Sequence, residues 1–182
     1  MAAILLRKAT QSDAANIGAL HVTSWHETYS GLLPGKMLAG LSVDVQTAMW
    51  TNILGKPEDF DCASVFVAEA SGRTVGFGAC GENRRDKVLS DDGYSGEIGA
   101  LYVLRSHQGR GVGRSMMAAM SQALSDAGHT AAYLWVLRQN DPARSFYGKL
   151  GGVIVGEKID EQPDVTLVQD AYGWRDLSSL GS

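Results

Sequence analysis

The sequence predicts one mixed α/β domain. Short β-rich runs and helical periodicities follow one another as β, two or three helices, β-hairpin, β, α, β, α, β, β. The 182 residues suit one domain or at most two small ones, and no linker, repeat or low-complexity stretch divides them. Apolar residues make up 45% and charged residues 20%, the balance of a chain that builds its own core.

Each element has a local cause. Ile4 to Leu6 is a short apolar run ending in Arg7 and Lys8, a first strand. Thr10-Gln11-Ser12-Asp13 has the form of a capping box. After it Ile17, Leu20, Ser24/Trp25 and Thr28/Tyr29 recur at helical spacing, so a helix is expected over about 12–29, stopped by Gly31 and Pro34. Pro34 suits the first turn of a short helix carrying Met37, Leu38 and Leu41. A further helix is expected over 44–54, closed by Gly55 and Pro57, with a loop over 56–62.

The period then changes. SVFVAEA (64–70) and TVGFGAC (74–80) flank a Ser71-Gly72-Arg73 turn and read as a hairpin. A polar, charged loop is expected over 83–93, a strand over 97–104, a glycine-rich loop over 107–113 and a helix over 114–127, ended by Gly128. TAAYLWVL (130–137) has few polar interruptions and so reads as a central strand. Asp141-Pro142 opens a helix to about Leu150, followed by Gly151-Gly152. Strands over 153–155 and 165–168, the second reaching toward Trp174, close the order.

Composition excludes several functions. Lys plus Arg number 16 and Asp plus Glu 20, a net charge of −4, which argues against general nucleic-acid binding. Two cysteines, Cys62 and Cys80, make no disulfide framework and are too few for a structural zinc site. His21, His26, His107 and His129 are scattered without partner ligands, so no metal is expected. No apolar run has the length of a membrane span. Arg7 and Lys8 stand where a leader's apolar core would be, so a soluble cytoplasmic protein is expected. The Gly-x-Ser-x-Gly elbow of hydrolases is absent.

The chemistry concentrates in Gln108-Gly109-Arg110-Gly111-Val112-Gly113-Arg114, between a strand and a helix. The first N–H groups of a helix lack intrahelical partners, and its dipole puts positive charge there. Glycines let the backbone approach a ligand closely, so the loop suits a diphosphate. No Lys-Ser/Thr pair follows, unlike a nucleoside-triphosphate loop, and Arg114 stands where the dinucleotide fingerprint needs Gly or Ala. The pattern Q-x-x-G-x-G does fit, as Gln108, Gly111 and Gly113. Alone, it also describes an ordinary strand–helix turn.

Here the sequence resembles the GNAT superfamily of acetyl-CoA-dependent N-acetyltransferases. EIGALYVLRSHQGRGVGRSMM (97–117) is similar to the family's strand–loop–helix. NDPARSFYGKLGG (140–152) is similar to its Asn-x-x-Ala…Tyr-x-x-x-Gly helix, and WHETYSGLLP (25–34) to the first-helix region of many bacterial members. The order of elements is similar from about residue 4 to 176. The resemblance implies a GNAT-like fold: a mixed, mostly antiparallel sheet flanked by helices and splayed between the fourth and fifth strands.

The resemblance also implies roles. Acetyl-CoA would lie where the Glu97–Val103 strand leaves the Tyr133–Leu137 strand. The Leu101 N–H would polarise the thioester carbonyl, Val103 would pair with pantetheine, and Tyr102 belongs to the same cofactor-binding stretch. The backbone from Gln108 through Gly109, Arg110, Gly111, Val112 and Gly113 to Arg114 would bind the pyrophosphate, and Asn140 the cofactor arm. Tyr147 would serve the departing thiolate as general acid; it also reads as a helix tyrosine packed on the core. Glu97 would take the amine's proton, directly or through water; it also reads as an exposed strand-end residue, with Asp91 or Asp92 as alternative bases.

Trp25, Tyr29 and Glu97 would contact the acceptor amine, although Trp25 and Tyr29 equally read as core. The expected function is direct acetyl transfer from acetyl-CoA to a primary amine of a small molecule or peptide in a ternary complex, without an acyl-enzyme. A CoA-binding regulatory module without transfer, a protein N-terminal or lysine acyltransferase, and a nucleotide-binding module are the rivals. A homodimer through the final strands is also expected.

Overall fold

The computed structural model describes residues 3–83 and 86–181; Arg84 and Arg85 of the expected polar loop, the first two residues and Ser182 lie outside that range. The strands are β1 (Ile4–Lys8), β2 (Cys62–Ala70), β3 (Arg73–Glu82), β4 (Gly96–Val103), β5 (Ala132–Leu137), β6 (Val153–Gln162) and β7 (Val165–Trp174). They form one sheet in the order β1-β2-β3-β4-β5-β7-β6. Every neighbouring pair is antiparallel except β4–β5, which is parallel.

The helices are α1 (Ala14–Tyr29), α2 (Gly35–Ala39), α3 (Val43–Gly55), α4 (Lys87–Asp91), α5 (Val112–Asp126) and α6 (Asp141–Lys149). One sheet face packs under α5 and α6, where Met116, Met117, Met120 and Leu124 are fully buried with Ile98, Leu134 and Val136. Removing side chains of this size from water contributes roughly 1.5–3 kcal/mol each. The other face packs under α1 and α3 through Ile17, Leu20, Trp50, Val67 and Phe77. Gly18 lets these two helices touch: a Cβ there would stand 2.7 Å from the Thr47 backbone nitrogen.

The expected elements recur with shifted ends. The hairpin turn is Ser71-Gly72, both at positive φ, between the paired Ala70 and Arg73. Helix α5 starts at Val112, two residues before the expected Arg114, because Gly111 is already its N-cap. The expected 83–93 loop contains α4, whose N-cap Asp86 accepts from the Leu89 N–H at 3.0 Å. Strand β6 runs for ten residues where the sequence suggested three. Its second half is polar because β6 is an edge strand with exposed side chains, so it shows no apolar alternation. Both cysteines are free; Cys80 is buried in β3 and Cys62 opens β2 rather than lying in the preceding loop.

Candidate active site

The parallel pairing of β4 and β5 lasts two rungs, Gly96 with Ala132 and Glu97 with Tyr133. Beyond them the strands part, and a cleft of about 640 Å³ opens. The backbone of the open edge follows from strand alternation. Leu104 N–H donates to Val75 O on the β3 side, so the N–H and C=O groups of Val103 and Leu101 point into the gap. On the opposite strand Arg138 N–H donates to Val168 O on the β7 side, which turns the Trp135 backbone toward the gap.

A bulge decides which side chains reach which face. In β4, Ala100 pairs with Ala79 while Ile98 pairs with the next residue, Cys80, leaving Gly99 as the extra residue. Glu97, before the bulge, shares the α1 face with Tyr133. After it, Leu101 and Val103 pack toward α5 and α6, and Ala100 and Tyr102 toward α1. The cleft is lined from both faces: Leu101, Val103, Asn140, Phe146 and Tyr147 on one side, Glu27, Tyr29, Tyr102 and Trp135 on the other. It therefore passes through the sheet.

One end of the cleft is the glycine loop. Gly109 and Gly111 have φ of +70° and +81°, and a Cβ at either would meet no atom within 4 Å. The first N–H bonded back into the helix is that of Ser115, to Gly111 O at 3.0 Å. The N–H groups of Val112 and Gly113 thus open the first turn of a fifteen-residue helix, where an anion can bind. Gln108 Nε2 donates to Val103 O at 2.9 Å and ties the loop to the open strand edge.

The other end is α6. Asn140, buried at its N-cap, accepts the Ala143 N–H at 3.3 Å through Oδ1. Among the described residues its amide NH2 makes no hydrogen bond, and the residue lines the cleft. Tyr147 lies two turns on and is 8% exposed among Phe146, Tyr172 and Trp174. Burial pushes its phenol well above the ordinary tyrosine range, and the neighbouring Tyr29 phenol adds to this. Unpaired strand edges, an anion-binding helix start and a buried amide along one cleft form a continuous set of polar contacts for a long, flexible, phosphorylated ligand such as coenzyme A.

Residues 14–152 match the Acetyltransferase (GNAT) family. The chain belongs to the GNAT family of acetyltransferases. The GNAT chain is 32% identical over 178 residues to YuaI, an uncharacterized N-acetyltransferase of Bacillus subtilis, covering 97% of this chain and 96% of that one. Its fold is similar to PaiA N-acetyltransferase from Thermoplasma acidophilum, solved in complex with coenzyme A. The TM-score is 0.69 at 18% identity, over 92% of this chain and 98% of that one. YncA from Salmonella typhimurium, solved with its cofactor acetyl-CoA, is similar with TM-score 0.70 at 18% identity, over 96% and 94% of the two chains. The GNAT-like fold expected from the sequence, with its fourth and fifth strands splayed, is the fold observed.

Within this GNAT site the residues singled out from the sequence fall into two groups. Leu101, Tyr102, Val103, Gln108, Gly109, Gly111, Gly113, Arg114, Asn140, Tyr147 and Tyr29 line the cleft. Four stand outside its wall. Val112 is buried under the sheet, and Arg110 is an exposed loop residue. Trp25 sits behind Tyr102, donating Nε1–H to its hydroxyl at 3.1 Å. Glu97 is half-buried beside Tyr133 at the point where the strands part. Asp91 is paired with Lys87 at 3.0 Å, and neither it nor Asp92 reaches the cleft.

Two features escaped the sequence reading. Glu27 accepts the Arg105 N–H at 2.8 Å and clamps the end of α1 to the turn before the glycine loop. Trp135 is a cleft wall carrying the Lys158 ammonium 4.4 Å from its ring centroid. Neither contact has a sequence signal, because each joins residues distant along the chain. Among the described residues no His, Cys, Asp or Glu group could hold a metal ion. No helix among the described residues is long and apolar enough to cross a membrane.

Proposed function

We propose that this GNAT enzyme transfers an acetyl group from acetyl-CoA, a consumed substrate, to a primary amine of a small molecule or peptide. The carrying observation is the cleft itself: an open strand edge leading to unpaired N–H groups at a glycine-capped helix start. The coenzyme A and acetyl-CoA found with PaiA and YncA support the cofactor assignment.

The chain's residues divide the work. The N–H groups of Val112, Gly113 and Arg114 hold the pyrophosphate, with Gln108, Gly109, Arg110 and Gly111 shaping the loop. Asn140 donates its free NH2 to the cofactor arm, and Val103 pairs with it along the open edge beside Tyr102. The Leu101 N–H donates to the thioester carbonyl and stabilises charge developing on its oxygen. The amine enters from the α1 face, past Tyr29 and in front of Trp25. Glu97, on that face, takes its proton directly or through a water.

Nitrogen then bonds to the acetyl carbon, the carbon–sulfur bond breaks with its electron pair going to sulfur, and the second proton of the nitrogen passes to solvent water as the amide forms. Tyr147 donates a hydrogen bond to that sulfur. A thiol ordinarily ionises near pH 8.5, below any phenol, so the buried Tyr147 stabilises the thiolate without surrendering its proton. Most of the rate comes from holding amine and thioester together.

The reading extends to a cytoplasmic enzyme and to a homodimer that continues the sheet through the ten-residue outer edge of β6, where Val153, Ile154 and Ile159 are exposed. A concentration-independent monomer mass in light scattering would refute the dimer.

The test is CoA release, read by chromatography, from acetyl-CoA with amino acids, polyamines, aminoglycosides, dipeptides and lysine peptides. Turnover with one amine class is expected, and Tyr147→Phe should lower kcat by about tenfold to hundredfold. Silence across the panel with acetyl-CoA still raising the Tm would favour a CoA-binding module. Silence without stabilisation would overturn the cofactor site as well.

A further inference from the structure

The sheet face turned toward α1 continues past the cleft wall onto β7 and β6. Leu137 of β5 pairs with Gln169 of β7, and Gln169 pairs with Lys158 of β6, so the three side chains form one row on one face. Asp170 fixes which face. It meets Arg144 of α6, so its neighbour Gln169 points to the opposite, α1 side. Trp135, two residues before Leu137, stands on that side too. Trp135 lines the cleft, and the Lys158 ammonium reaches across β7 to lie 4.4 Å from its ring centroid.

Two polar groups in this row lack partners. Among the described residues the Lys158 ammonium makes no hydrogen bond or ion pair, and its contact is the indole face. Two acids whose charge it senses are occupied elsewhere. Asp160 accepts from Gln162 Nε2 at 2.9 Å, and Asp86 caps α4 by accepting the Leu89 N–H at 3.0 Å. Gln169 Oε1 is buried without a hydrogen-bond partner among the described residues. A cation held partly out of water against an indole attracts an incoming anion more strongly than one in bulk solvent.

We propose that Lys158 is a specificity-determining residue of the acceptor site, and that the amine it selects carries a carboxylate. This rests on the acetyl-transfer reading. Glu97 pairs with Tyr133, two residues before Trp135, so this face presents an acid and a cation with an indole between them. A zwitterion complements that order: its ammonium toward Glu97, its hydrocarbon part along Trp135, its carboxylate on Lys158. The Gln169 oxygen can accept an N–H of the same molecule. Free amino acids and dipeptides share this chemistry.

The test uses the full chain, acetyl-CoA and matched acceptors that differ only at one group: amino acids against amino-acid amides, and dipeptides against dipeptide amides. The acid of each acetylated pair should be preferred in kcat/KM by about tenfold or more. Lys158→Met should remove that preference through the KM of the acid, and Lys158→Arg, which keeps the charge, should retain most of it. Lys158 is exposed on an edge strand, so both variants should fold. Equal use of acid and amide, a preference for polyamines, or a preference that survives Lys158→Met would overturn the assignment.

A second measurement needs no turnover. N-acetyl amino acids and N-acetyl dipeptides keep the carboxylate and have no amine to react. Titrated calorimetrically into the protein with CoA, they should bind about tenfold tighter than their amides, and Lys158→Met should abolish the difference. Acids and amides that bind alike, or do not bind, would overturn the role of Lys158. If no amine of any class is acetylated, the transfer reading fails, and this titration still judges the carboxylate site by itself.

Discussion

Gln108 Nε2 donates to the carbonyl oxygen of Val103 at 2.9 Å, joining the glycine loop to the open edge of β4. The bond occupies the Val103 carbonyl and leaves its N–H facing the gap. Gln108→Ala removes the tie without touching the core, because Gln108 is exposed. The KM for acetyl-CoA should rise by about threefold to tenfold with kcat little changed. Titration calorimetry with CoA and steady-state kinetics check this, and a loss confined to kcat would contradict it.

Helix α5 has a positive-φ glycine beyond each end, Gly111 at +81° and Gly128 at +92°. Neither would crowd a neighbour if given a Cβ. Gly111→Ala and Gly128→Ala should each cost about 1–2 kcal/mol from the left-handed backbone alone. That corresponds to a fall in Tm of about 2–8 °C in a chain of this length. Only Gly111→Ala should also weaken CoA binding, by about tenfold, since its methyl enters the space before the anion-binding turn. Calorimetric melts with and without CoA separate the two effects.

Asp170 is 1% exposed on β7 and accepts from Arg138 Nε at 3.1 Å, while Arg144 of α6 lies 3.5 Å away. The carboxylate is held below its usual range, mainly by the hydrogen bond from Arg138. Asp170→Ala would leave two guanidinium groups without their shared partner. A loss of about 2–4 kcal/mol is expected in urea unfolding, the lower part of that range reflecting the partial exposure of both arginines. Because Arg144 anchors the helix bearing Asn140 and Tyr147, CoA affinity should fall too.

His21 accepts the Trp50 Nε1–H at 3.2 Å through Nδ1. Burial lowers its pKa from 6.5 to about 4. The folded protein keeps this imidazole neutral, and the unfolded chain binds a proton more readily. Its contribution is therefore complete above pH 6.5 and is lost as pH falls through 4, about 3 kcal/mol at most. His21→Gln should flatten stability between pH 6.5 and 4 in denaturant titrations. Below that window the Arg7–Asp13 pair, at 2.8 Å, takes over, since Arg7 holds the Asp13 carboxyl far below its usual range.

Much of the site was legible because its signals are local. A glycine loop between strand and helix, an Asn-Asp-Pro helix start and Tyr147 two turns further on are patterns within a few residues. Helix α4 was missed because a five-residue helix in a polar loop has no apolar period to show. The polar half of β6 was missed because an edge strand exposed to solvent needs no alternation. Trp25 suits either the acceptor pocket or the core in the sequence, and its hydrogen-bond partner Tyr102 is 77 residues away, a contact that no spacing along the chain reports.

The sequence by itself determined the order of elements, the position of the anion-binding turn and the family resemblance, because each is written in short-range pattern and residue type. Only the tertiary structure decided that β4 and β5 part after two rungs, and that the bulge at Gly99 sends Leu101 to one face of the sheet and Tyr102 to the other. The physical reason is that a strand's side chains alternate with a period of two. One inserted residue therefore exchanges the faces of everything after it, and where it falls is set by pairing with a distant strand.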